Sequence, residues 1–96
     1  MNQFFEALGQ DWVEAAQRRG AAIAKPGLDS QVALELLELA RVAAHTQERR
    51  FAPLTCYLAG VAAESLRAAK PAVDETAIAG FIQEVRRKLE REVPGL

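Results

Sequence analysis

The segment from Arg41 to Tyr57 gathers the side chains of this 96-residue chain best suited to chemistry. It holds the single His45, the single Cys56 and the single Tyr57, with Arg41, Glu48, Arg49, Arg50 and Thr55 among them. Arg41 and His45 are four apart, so on a helix they share a face. Arg49 and Arg50 precede an expected helix start at Ala52-Pro53, where unpaired backbone N–H groups favour anions. The guanidinium fork also matches phosphate or carboxylate geometry. Docking of a phosphate-bearing ligand or an acidic partner surface is the chemistry this grouping suggests, with Arg41, His45, Glu48, Arg49, Arg50, Thr55 and Tyr57 as candidate contacts. A plainer reading stands beside it. A His near a helix C-terminus complements the dipole and caps carbonyls. Arg49 and Arg50 are then solvated or paired with Glu48, and Cys56, between Leu54 and Leu58, is a small residue of an apolar segment. A Cys–His catalytic pair also needs a third, orienting group, and nothing in the sequence supplies one.

Other chemistries lack their parts. One His and one Cys exclude a structural zinc site and a disulfide framework. No glycine-rich phosphate loop is present, and Gly60 and Gly80 fall inside helical patterns as packing positions. Glu35 and Glu38 have no His spaced with them as a di-iron bundle requires. A net charge of -1 gives no general attraction to nucleic acid. The C-terminal cations Arg86, Arg87, Lys88 and Arg91 are interleaved with Glu84, Glu90 and Glu92, as helix-surface pairs would be. The expectation is a chain with no catalytic residues, no cofactor, no metal and no nucleic-acid partner. The longest uncharged run, Phe51 to Ala63, is thirteen residues, short of the ~20 a membrane span needs. Met1-Asn2-Gln3-Phe4-Phe5-Glu6 has neither the basic start nor the apolar core of a secretory signal. A cytoplasmic protein is expected.

The elements that position these residues are legible from composition. The chain has 19 Ala and 11 Leu against 7 Val and 3 Ile, which favours helices over strands. Four helical segments follow. The first runs from about Asn2 to Arg19, with Phe4, Phe5, Leu8, Trp12, Val13 and Ala16 near one face. Gly9 either weakens or breaks it, and Gly20 stops it. Pro26-Gly27 marks a turn, and Asp29-Ser30 offers an N-cap. The second helix spans about Gln31 to His45, with Val32, Leu36, Leu39, Ala40 and Ala43 as its inner stripe, widened by Leu37 and Ala44. The third spans Leu54 to about Ala69, with Leu54, Tyr57, Leu58, Val61, Ala62, Ser65 and Leu66 expected inward. Its Ala-Gly stretch is flat enough for a close neighbour. Lys70-Pro71 ends it. Asp74 caps the fourth helix, with Val73 and Ile78 as a hydrophobic staple, and Ile78, Phe81, Ile82, Val85 and Leu89 face in. Pro94-Gly95 ends the chain. The fold class expected is all-α, a four-helix bundle or an orthogonal four-helix array, forming one domain over residues 1–96.

The junction also carries a likeness. Leu36-Leu37-Glu38-Leu39-Ala40-Arg41-Val42-Ala43-Ala44-His45, then Glu48-Arg49, Ala52-Pro53-Leu54-Thr55 and Tyr57-Leu58-Ala59-Gly60, resembles a small actinobacterial-type domain of unknown function. That domain occurs alone or joined to molybdopterin-guanine dinucleotide biosynthesis protein A, the molybdenum-cofactor guanylyltransferase. The resemblance covers about residues 31 to 66. His45, Glu48, Arg49, Ala52, Pro53, Leu54, Thr55 and Gly60 match its pattern, which varies at Arg50-Phe51 and often has another Pro there. It implies a context, molybdenum-cofactor maturation, and no catalytic residues. The chain also lacks the transferase's glycine-rich nucleotide-binding start.

Three functions are compatible with these residues. One is a non-catalytic accessory domain that binds a partner protein, a guanylyltransferase or a molybdoenzyme, through the junction of the second and third helices. Another is a module that binds a phosphate-bearing pterin or nucleotide near His45 and Arg49. The last is a self-associating homodimer packed through the third helix.

Overall fold

The structure, a computed structural model, describes residues 3–92. Those residues form four α-helices: α1 (Gln3–Arg18), α2 (Ser30–Thr46), α3 (Phe51–Ala69) and α4 (Glu75–Glu92). The fold is all-α, and no strand occurs among the described residues. Pro94-Gly95, read from the sequence as the end of the chain, lies outside them. None of the described helices is long and apolar enough to cross a membrane. By contact grouping the chain divides into two compact units, residues 1–30 and 31–96.

In the first unit α1 runs unbroken through Gly9. Its end is built on Gly20, which adopts φ +77°. The N–H of Gly20 bonds the carbonyl of Gln17, and that of Ala21 reaches back to Ala16, both at 2.9 Å. This paired closure satisfies carbonyls the helix leaves open, and its left-handed residue is one only glycine adopts without strain. The chain then turns back along α1 without regular structure. Lys25 Nζ donates to Glu6 at 2.7 Å. A Cβ placed on Gly9 would stand 2.6 Å from the carbonyl oxygen of Pro26. Gly9 is thus required by this close passage, and its poor helix propensity is the cost of admitting the returning chain.

The second unit contains α2, α3 and α4. Its core cluster comprises Val32 and Leu39 of α2, Ala63 of α3, and Ile78, Ala79 and Ile82 of α4. Leu36, Ala59, Leu66, Val73 and Leu89 pack against it. Asp74 caps α4 as its sequence position requires, its Oδ1 accepting from the Ala77 N–H at 2.9 Å. Lys70 ends α3 outside the helical region, at φ -136° and ψ 82°, where the following Pro71 disfavours the α conformation. α3 begins three residues earlier than its pattern suggests, at Phe51. Pro53 still falls in the first turn, where its missing N–H costs nothing.

Polar ties hold α4 in register with its neighbours, among them Thr76 Oγ1 donating to Gln31 of α2 at 2.9 Å. Glu35 of α2 accepts from Arg86 Nε at 3.0 Å and from Gln83 Nε2 at 3.1 Å, and Arg86 also bonds Glu90. Arg67 of α3 donates to Glu75 of α4 at 2.7 Å and also pairs with Glu64.

The facing of α3 differs from the sequence pattern. Leu54, Tyr57, Leu58, Val61 and Ser65, expected inward, are exposed. The inward line is Cys56, Ala59, Ala63 and Leu66, only Ala63 being fully buried. Small side chains let α3 lie close to its neighbours, and the larger ones then have no room on that side. Leu37 of α2 and Val85 of α4, also expected inward or beside the inner stripe, are exposed.

Candidate functional site

The junction between α2 and α3 is a short turn. α2 closes with Thr46 Oγ1 donating to the Val42 carbonyl at 2.8 Å and the Gln47 N–H bonding Ala43. α3 opens through tight bonds from Phe51 N–H to Glu48 and from Ala52 N–H to Arg49. Arg50 already has helical dihedrals and makes no side-chain cap. The candidate contact residues are therefore held on firm backbone, and their side chains go in different directions.

Arg41 is exposed and bonds Glu38 on its own helix at 3.0 Å. His45 is exposed in the last turn of α2, the position where a cation complements the dipole. Arg49 is exposed, and Arg50, its side chain 85% exposed, bonds Glu48 at 2.6 Å. These surface ion pairs contribute little to stability, about 0–1 kcal/mol each. Thr55 and Tyr57 leave α3 on opposite flanks. Thr55 is half-buried and lines a groove with Leu39, Leu58, Ala59, Ala62, Phe81 and Val85. Tyr57, 72% exposed, borders a shallow hollow with Cys56, Gly60, Val61, Glu64 and Ala68. The structure thus joins Glu48 to Arg50 and ties Arg41 to Glu38. It sets Thr55 and Tyr57 over two separate depressions.

Cys56 lies on the side of α3 toward α2, and its thiol donates to the Leu36 carbonyl at 3.6 Å. Burial pushes its pKa up. A nucleophilic cysteine needs the reverse, a nearby cation or helix N-terminus that favours thiolate. Among the described residues, no three His, Cys, Asp or Glu side chains are grouped to hold a metal ion.

The groove is the feature sequence reasoning missed. It has a volume of about 280 Å³, runs between α3 and α4, and has Leu39 and Ile82 at its base. Thr55 is the one polar residue that lines it. Its walls come from residues on three helices, so periodicity along any one of them gives no hint of it. The signal available was a surplus: more large apolar side chains than a small unit can bury.

No curated protein and no solved structure matches the chain. A family model described as Domain of unknown function (DUF6457) matches residues 6–94. That match reaches well beyond the 31–66 segment that carries the resemblance, taking in all of α2, α3 and α4 and most of α1. Four helices, a tight α2–α3 junction and an apolar groove are what this sequence builds, and by a match over nearly its whole length the chain belongs to the DUF6457 family of domains of unknown function.

Proposed function

We propose that the chain is a non-catalytic accessory domain that binds a partner protein through the groove between α3 and α4. The groove carries this reading. A concave, almost wholly apolar surface on a small helical unit suits the apolar face of an amphipathic helix, with anchors at three- and four-residue spacing. Thr55 at its edge supplies one hydroxyl to fix register. The exposed Arg49 and His45 at the neighbouring junction suit an acidic rim on the partner. Cys56, its thiol pKa raised by burial and bonded to a carbonyl, supports a binding role over a nucleophilic one. The resemblance of the α2–α3 segment supplies the candidate partner class, a molybdenum-cofactor guanylyltransferase or a molybdoenzyme.

Affinity purification of the full chain from its native cell, with mass spectrometry, tests this. Cofactor-synthesis proteins should co-purify with the wild type and be lost with Val85→Asp, which puts a charge on the groove wall. Their absence from the wild-type sample, or their retention by Val85→Asp, overturns the reading.

A further inference from the structure

The outer face of α3 is built unlike a solvent face. Positions 50, 54, 57, 61, 64 and 68 follow alternating steps of four and three, so they form one stripe along the helix. The inward line of Ala59, Ala63 and Leu66 lies on the other side of the same helix. The stripe reads Arg50, Leu54, Tyr57, Val61, Glu64, Ala68. Leu54 is 61% exposed and Tyr57 72%, with Leu58 beside them at 65%. No charge falls between Arg50 and Glu64 on any side of the helix. A helix apolar all round is ordinarily buried all round, and α3 is buried on one side only.

Two charges frame the apolar part of that stripe. Arg50 and Glu64 are each seven residues from Tyr57, or about 10 Å along the axis in opposite directions. Their side chains are 85% and 71% exposed. A two-fold axis through Tyr57 therefore brings Arg50 of each copy opposite Glu64 of the other.

We infer that the chain forms an isologous dimer in which α3 packs antiparallel on α3 of a second copy, centred on Tyr57 and framed by two Arg50–Glu64 pairs. Isologous pairing uses each contact twice, so a modest stripe suffices. The pairs on Glu48 and Arg67 that Arg50 and Glu64 make within the chain are surface pairs, and they exchange or share readily. Leu58 borders both surfaces, whereas Thr55, Ala59, Ala62, Phe81 and Val85 of the groove lie outside the stripe and stay open in the dimer.

Sedimentation of the full chain from about 1 µM to about 500 µM tests the inference. The wild type should be dimeric at the upper end. Arg50→Glu and Glu64→Arg should each weaken the dimer about tenfold, and the double variant Arg50→Glu/Glu64→Arg should return to within about threefold of wild type. Tyr57→Glu should give a monomer with unchanged helix content by circular dichroism. Val85→Asp should leave the dimer intact while abolishing partner capture at the groove, which keeps the two sites distinguishable. A wild type monomeric throughout, or a double variant no tighter than the singles, overturns the inference. So does dissociation by Val85→Asp in place of Tyr57→Glu. Capture of a different protein by the stripe of a monomeric wild type also overturns it and assigns the face to that protein.

Discussion

α3 and α4 pack against each other and divide their side chains in opposite ways. α4 buries Ile78 and Ile82 and shows solvent Glu84, Arg87 and Lys88. α3 buries Ala63, half-buries Ala59, and shows solvent Leu54, Tyr57, Leu58 and Val61. α4 is an amphipathic helix whose apolar stripe is spent on the core. α3 provides closeness on one side and apolar area on the other. The contrast teaches that burial within a chain and hydrophobicity of a helix are separate matters, and that where they part company a second molecule is the natural cover.

The largest effect that separates the two helices is a truncation series. Ile78, fully buried, should lose about 3–4 kcal/mol as Ile78→Ala, in the range for large core residues cut to alanine. Leu54→Ala, on the outer stripe, should stay within about 0.5 kcal/mol when measured at low protein concentration. Urea unfolding of both variants checks this, and a Leu54→Ala loss as large as that of Ile78→Ala would break the comparison. Next in size is overpacking. Ala63→Leu puts three extra carbons into the closest approach of α3 and should cost about 1–3 kcal/mol, whereas Ala68→Leu on the outer face should cost almost nothing.

Arg86 sharpens the contrast from the polar side. Its side chain is 13% exposed and that of Glu35 17%, so removing one partner strands a charge. Arg86→Met should lower stability by about 1–3 kcal/mol, and adding Glu35→Gln should recover part of it. Thermal unfolding of the single and double variants measures the recovery. Arg50→Met on α3's exposed end should change monomer stability by less than about 0.5 kcal/mol.

Much of this was legible in the sequence. Ala and Leu abundance, Gly20, Pro71 and Asp74 placed four helices and several of their ends, because caps and breakers act through neighbours a few residues away. The facing of α3 was not legible. Periodicity finds an apolar stripe, and Phe51 to Ala63 has no charged side to show which way is out. Glu35 and Arg86 are 51 positions apart, and only the packed structure pairs them. The candidate site fared similarly. The sequence located the junction, but Thr55 and Tyr57, two residues apart, serve different depressions because a helix turns by roughly 200° between them.

Two smaller effects complete the set. Cys56 should react with a maleimide several-fold more slowly in the folded chain than in urea, since burial raises the thiol pKa and withholds thiolate. A Cys56 as fast when folded as when unfolded would contradict its inward facing. Glu6 has its pKa lowered, first by the hydrogen bond from Lys25 and then by that cation's charge. A depressed carboxylate contributes stability above its unfolded value and loses it as pH falls through the folded one. A carbon-detected NMR titration should give Glu6 a midpoint below the ordinary glutamate range, restored by Lys25→Met.

The passage of Pro26 over Gly9 has a consequence for reach. Residues 19–29 could span roughly 36 Å if drawn out, yet the chain lays them back beside the helix they have just left, pinned at Gly9 and Glu6. The connection stores slack. A side chain at position 9 would meet the Pro26 carbonyl, so the returning segment must lift away from α1 to admit it.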